Sequence, residues 1–127
     1  MRIMYIMLNI VLGFFEMAIP ACYSPAHNEF TRDAVIQRFE FSFELAWTML
    51  RLRLGDEGID APTPRAAIRE AVAAQLLDDG DRWSDMLRYR NETSHIYDEA
   101  LARKVSSFVC STALPLLKAL GEQARSW

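Results

Sequence analysis

Between Thr31 and Glu57 the apolar side chains recur at spacings of three and four: Val35/Ile36, Phe39, Phe43, Ala46/Trp47, Leu50 and Leu54. That period lines them up along one broad face of a helix. A stripe so wide and so rich in aromatic rings cannot stay in water, so other elements must cover it. No stretch of the chain alternates apolar and polar residues long enough to make a strand, so the covering elements are helices too. The fold expected is all-α, an antiparallel up-and-down bundle of four or five helices.

Four further segments carry a helical pattern. Residues Ile3 to Ala18 are apolar nearly all round, which requires burial or a partner. Pro20 and Pro25 then interrupt the chain, and Asn28 or Thr31 can cap the long helix, whose end is marked by Gly55 to Gly58. Thr63 followed by Pro64 opens a third helix, with Ile68, Val72 and Leu76 as its apolar row, and Asp78-Asp79-Gly80 is the expected stop. The fourth runs from Arg82 to Ser94 with Trp83, Met86, Leu87 and Arg90 on one side. Asp98 caps a fifth from Glu99 to Ala124, in which Pro115 should produce a kink. Short links between neighbours favour antiparallel packing.

The length of 127 residues suits one domain spanning 1–127. Hydrophobic residues make up 51% and charged residues 24%, the balance of a globular chain rather than a disordered one. A net charge of -3 argues against coating nucleic acid by bulk charge, though not against an enzyme that touches a few phosphates. The N-terminal stretch ends in Ile19-Pro20-Ala21-Cys22, loosely like an export signal. Glu16 within the apolar run, the proline and the single basic residue favour a bundle helix instead. The stretch is also short and interrupted for a membrane span. A cytoplasmic, membrane-free protein is therefore expected, with Cys22 and Cys110 as free thiols.

The chemistry-bearing residues concentrate at the end of the fourth helix, in Arg90-Asn91-Glu92-Thr93-Ser94-His95-Ile96-Tyr97. At about 100° per residue Arg90 shares a face with Ser94, and Asn91 with His95. Such a set suits a phosphodiester. Arginine grips phosphate oxygens and stabilises developing charge, and histidine exchanges a proton near neutral pH. With RNA the nucleophile can be the substrate's own 2′-hydroxyl, so neither metal nor cofactor is called for. A plainer alternative has Arg90 paired with Glu40 or Glu44 inside the bundle and His95 ending the helix. Glu40 and Glu44, among Phe39, Phe41 and Phe43, are expected to orient Arg90 or meet a partner. Trp47 and Trp83 read as core and His27 as exposed. Arg65 and Arg69, four apart, read as a surface pair able to meet phosphate.

Two sets of residues carry a resemblance. Arg90-x4-His95-x-Tyr97, with polar Asn91 after the arginine, resembles the signature of the HEPN superfamily and of its toxins paired with minimal nucleotidyltransferases. Residues 32–47, the run Pro64-Arg65-Ala66-Ala67-Ile68-Arg69-Glu70-Ala71, and the run from Trp83 through Tyr97-Asp98-Glu99 resemble the nucleotidyltransferase substrate-binding protein family, in the same order. The resemblance implies a HEPN-type bundle, a homodimer, and a small nucleotidyltransferase encoded alongside. It further implies a toxin–antitoxin component acting as a metal-independent endoribonuclease, with Arg90 and His95 as the catalytic pair and Asn91 as the polar residue that supports them. Ser94, on the face of Arg90, joins Glu40 and Glu44 as a supporting or partner-contacting residue. Tyr97 would be the position that the nucleotidyltransferase modifies with AMP. The alternative is a non-catalytic subunit that presents a substrate, or Tyr97 itself, to the nucleotidyltransferase. The first 30 residues depart from the family's usual, more charged first helix.

Overall fold

The computed structural model describes residues 3, 6–10, 13, 22, 29–93 and 98–127. Of the expected first helix, residues 3, 6–10 and 13 are helical, with Leu8 buried. The spine is α1, Glu29–Asp56. It is followed by α2, Pro64–Ala73, α3, Gly80–Glu92, and α4, Glu99–Phe108. A five-residue π-helical turn, Val109–Ala113, leads into α5, Leu114–Ala124. The architecture is a helical bundle in which α1 packs against each of α2 to α5, as its broad apolar face demands.

The core follows the stripe read from the sequence. Val35, Phe39, Phe43, Leu50 and Leu54 of α1 are buried together with Trp83 and Met86 of α3 and Val105 and Leu117 from the C-terminal helices. Phe39 and Phe43 are tilted against each other with ring centres 6.3 Å apart, an arrangement aromatic rings favour over a parallel sandwich. Trp47 departs from the expectation. It is only partly buried, because its indole N–H has a polar partner at the core's edge.

The helix ends show which local signals held. Gly58 adopts φ 79° and lets the Ile59 N–H reach back to the Leu54 carbonyl at 2.9 Å, the glycine-terminated ending that frees the chain to turn. Thr63 caps α2 as expected, its hydroxyl accepting from the Ala66 N–H. The end of α2 differs. It stops at Ala73 rather than at the Asp78–Gly80 run, because Gln75 takes a left-handed conformation (φ 61°) and the Leu76 N–H returns to the Ala71 carbonyl. Gly80 opens α3 instead. A Cβ there would lie 3.1 Å from Val72, so the missing side chain lets α3 start close against α2.

Two expectations about the C-terminal half are corrected. The long fifth helix is not simply kinked at Pro115. Proline lacks the N–H that an α-helix needs at that point, and the preceding turn widens so that the Leu114 N–H bonds the Val109 carbonyl. Cys22 and Cys110 are not free thiols but a disulfide, with Cα atoms 5.6 Å apart across 88 residues of sequence. The fold brings the two together, and neither composition nor spacing encodes that proximity. Among the described residues no helix is long and apolar enough to cross a membrane.

Candidate functional site

Arg90 lies in the last turn of α3, where the helix passes α1. Its Nη2 donates to Glu44 Oε1 at 2.7 Å. The other oxygen of the same carboxylate accepts from Trp47 Nε1 at 2.9 Å. Glu44 is thus held from both sides, and it fixes one edge of the arginine fork. The Nε of Arg90 is buried and has no hydrogen-bond partner among the described residues, although the side chain as a whole is 29% exposed. A buried donor of this kind is uncommon and suits a site that receives an acceptor from elsewhere. The Arg90 carbonyl accepts from the Thr93 hydroxyl at 2.6 Å, which closes the end of the helix.

Gln37, Glu40, Phe41, Glu44 and Arg90 border a shallow groove of about 250 Å³ between α1 and α3. Glu40 and Glu44 both reach it, and Glu44 is the one that pairs with Arg90. Phe41, 53% exposed, flanks the groove with a large apolar ring. Asn91 does not share it. One residue on from Arg90, it turns to the other side of α3 and lines a second groove of about 750 Å³ between α2 and α3. Ser94, His95 and Tyr97 lie outside the described residues, as does His27.

The ends of the segment that carries them are well anchored. Tyr89 of α3 stacks on Phe108 of α4 with ring centres 4.2 Å apart. Asp98 caps α4 through the Ala100 N–H at 2.9 Å. Glu99 is gripped by Arg103 at 2.9 Å and by Arg32 at 3.3 Å, the latter buried at the start of α1. The hydrogen bond from Arg32, reinforced by the charge of Arg103, holds the Glu99 carboxyl below its ordinary value of 4.5. Arg32 is an anchor that the sequence alone does not reveal. Its place in the first turn of a long helix looks like a solvated position, and only the return of α4 gives it a partner.

The described residues place the Arg90 half of the Arg-x4-His signature on a helix end, positioned by a carboxylate from the spine. The family described as nucleotidyltransferase substrate binding protein like matches residues 8–126. This chain belongs to that family. Its relatives include the protein named "Probable ribonuclease HepT" from Haemophilus influenzae, 35% identical over 75 residues. The match takes in 55% of this chain and 51% of that protein, so the chain spans about half the length of the curated relative it matches. A crystal structure of a protein from Thermus thermophilus superposes with a TM-score of 0.76 at 30% identity, covering 91% of this chain and 96% of that one. The bundle of this HEPN-type chain is therefore the fold of a solved relative, and the family match, which begins at residue 8, takes in most of the first 30 residues that were expected to depart from it.

Proposed function

We propose that this chain is a metal-independent endoribonuclease of the HEPN type, the toxin half of a pair whose other half is a small nucleotidyltransferase. The observation that carries the reading is Arg90, which borders the groove between α1 and α3, is held there by Glu44, and has a buried Nε without a hydrogen-bond partner among the described residues. An arginine so placed is preorganised to bind a phosphate and the charge that builds on it. His95, five residues on, supplies proton transfer. In the reaction the substrate's 2′-hydroxyl attacks the adjacent phosphorus and gives up its proton. The 5′-oxygen leaves and takes one, and the products are a 2′,3′-cyclic phosphate and a 5′-hydroxyl. Asn91 and Ser94 support the pair. The exposed ring of Phe41 beside Arg90 fits a homodimer in which two copies flank one RNA strand. The name of the Haemophilus influenzae relative is in keeping with this activity.

The test is cleavage of labelled RNA by the purified chain in the presence of a chelator. Arg90→Ala and His95→Ala are each expected to lower the rate by about 10²–10³-fold, the usual effect of removing one charge-stabilising donor or one acid–base group. Cleavage that survives in both variants overturns the reading.

The family's description favours a second reading, in which the chain presents a substrate, or Tyr97 itself, to the nucleotidyltransferase without cutting RNA. Mass spectrometry after incubation with the nucleotidyltransferase and ATP separates the two. An AMP adduct on Tyr97 that abolishes RNA cleavage supports the toxin. A stable complex with no cleavage by the free chain supports the presenting subunit.

A further inference from the structure

The larger groove lies between α2 and α3, apart from the Arg90 groove, and encloses about 750 Å³. Its lining has three chemically distinct parts. Arg65 and Arg69, one turn apart on α2, and Arg88 on α3 supply guanidinium groups. Arg69 and Arg88 are 72% and 62% exposed, and their carboxylate neighbours Glu70 and Asp85 stand off at 3.7 and 3.4 Å. Both ion pairs are therefore loose and leave the forks able to take another anion, although Arg88 would do so from a position 5.3 Å over the Tyr89 ring. The floor is aliphatic, made by Ile68, Val72 and Leu87, and Val72 remains 38% exposed. At the two ends sit acceptors, Asp81 and Glu92.

A simple anion would leave the aliphatic floor and the carboxylates unused, and an acidic peptide would set its own carboxylates against Asp81 and Glu92. An apolar peptide would leave the arginines idle. A nucleotide unit satisfies all three parts at once. Its phosphate meets the guanidinium forks, the flat face of its base lies on the aliphatic floor, and its ribose hydroxyls and exocyclic amines donate to the carboxylates. The groove also runs past Asn91, the residue next to Arg90. We infer that the α2–α3 groove binds a nucleotide unit of single-stranded RNA and holds the strand beside the Arg90 site.

The identity of the strand as substrate rests on the proposed ribonuclease function; binding in the groove does not. Labelled oligoadenylate is titrated by fluorescence anisotropy against the chain carrying His95→Ala, so that cleavage does not interfere, with AMP as competitor. Arg65→Ala/Arg69→Ala is expected to weaken oligonucleotide binding at least tenfold. It should also flatten the dependence of log affinity on log salt by about 1.4, since each phosphate contact to a single strand contributes about 0.7. Val72→Glu, which puts charge on the floor, should weaken AMP and oligoadenylate alike. All three positions are exposed, and thermal melts of the variants establish that they fold. Unchanged oligonucleotide affinity in the double variant overturns the inference. So does loss of nucleotidyltransferase binding with RNA binding intact, which makes the groove a protein-docking surface. Groove-dependent binding without any cleavage by the unmutated chain leaves this inference standing and removes the ribonuclease reading. Cleavage and binding that both ignore the double variant do the reverse.

Discussion

Glu44 does two things with one carboxylate: it takes the indole N–H of Trp47 and the guanidinium of Arg90. Because Glu44 is 45% exposed, the ion pair itself contributes little to stability in water. Its larger effect is on where the arginine points. Glu44→Ala is expected to cost about 1 kcal/mol or less in denaturant melts and to lower RNA cleavage by considerably more than that loss implies. A parallel fall in both would instead mark Glu44 as merely structural. Glu99 gives a pH prediction. Its carboxyl is held below the ordinary value by Arg32 and Arg103, so the folded state prefers the ionised form. The stabilisation is then present above pH 4.5 and fades as the pH falls through the lowered folded value. The difference in melting temperature between the unmutated chain and Glu99→Gln should be seen at neutral pH and vanish in strong acid. A carboxylate partner for Arg90 was legible from the sequence, because charged groups set among Phe39, Phe41 and Phe43 need pairing. Which of the two would serve was not, since Glu40 and Glu44 share a helix face and only the crossing of α3 chooses. The split of Arg90 from Asn91 was legible in principle, as consecutive helical residues point about 100° apart.

At the level of helices, caps were easier to read than ends. Thr63-Pro64 gave both the start and its mechanism. Thr63→Ala should cost about 1 kcal/mol in chemical denaturation, through loss of the bond to the Ala66 N–H. The close of α2 differs from the expectation because Gly80 opens the next helix, whereas the left-handed turn is made by Gln75. A non-glycine residue in that conformation carries no composition signal. The π-helical turn did leave a trace. Val105, Val109, Ala113 and Leu117 are all buried and spaced four apart. Each such step overshoots an α-helical turn by about 40°, or about 120° over three. A regular helix would carry Leu117 out of the core, and the wide turn at Val109–Ala113 takes up the excess.

For the molecule as a whole, the bundle was legible because one long amphipathic helix with bulky rings leaves few ways to bury itself. Trp83, 2% exposed and packed on that face, should be among its least replaceable residues. Trp83→Ala is expected to destabilise the fold by about 3–5 kcal/mol, measured by urea unfolding. The disulfide was beyond reach of the sequence, since two cysteines 88 residues apart give no geometric hint of their proximity. Closing so long a loop restricts the unfolded chain, and Cys22→Ser or reduction should cost about 2–5 kcal/mol. Equal denaturation midpoints with and without reductant would show that the cross-link contributes nothing.

The wide turn before Pro115 also bears on how the chain tolerates insertions and deletions. It holds one residue more than regular pitch requires. Deleting exposed Ser111 together with Pro115→Ala should restore a continuous α-helix while Val105 and Leu117 keep their faces. Deleting Lys118 would rotate Leu120 and Ala124 about 100° away from the residues before them. The first variant should melt cooperatively and the second should not. A one-residue deletion is therefore expected to be absorbed at this position, while a length change one or two turns away would misalign the core.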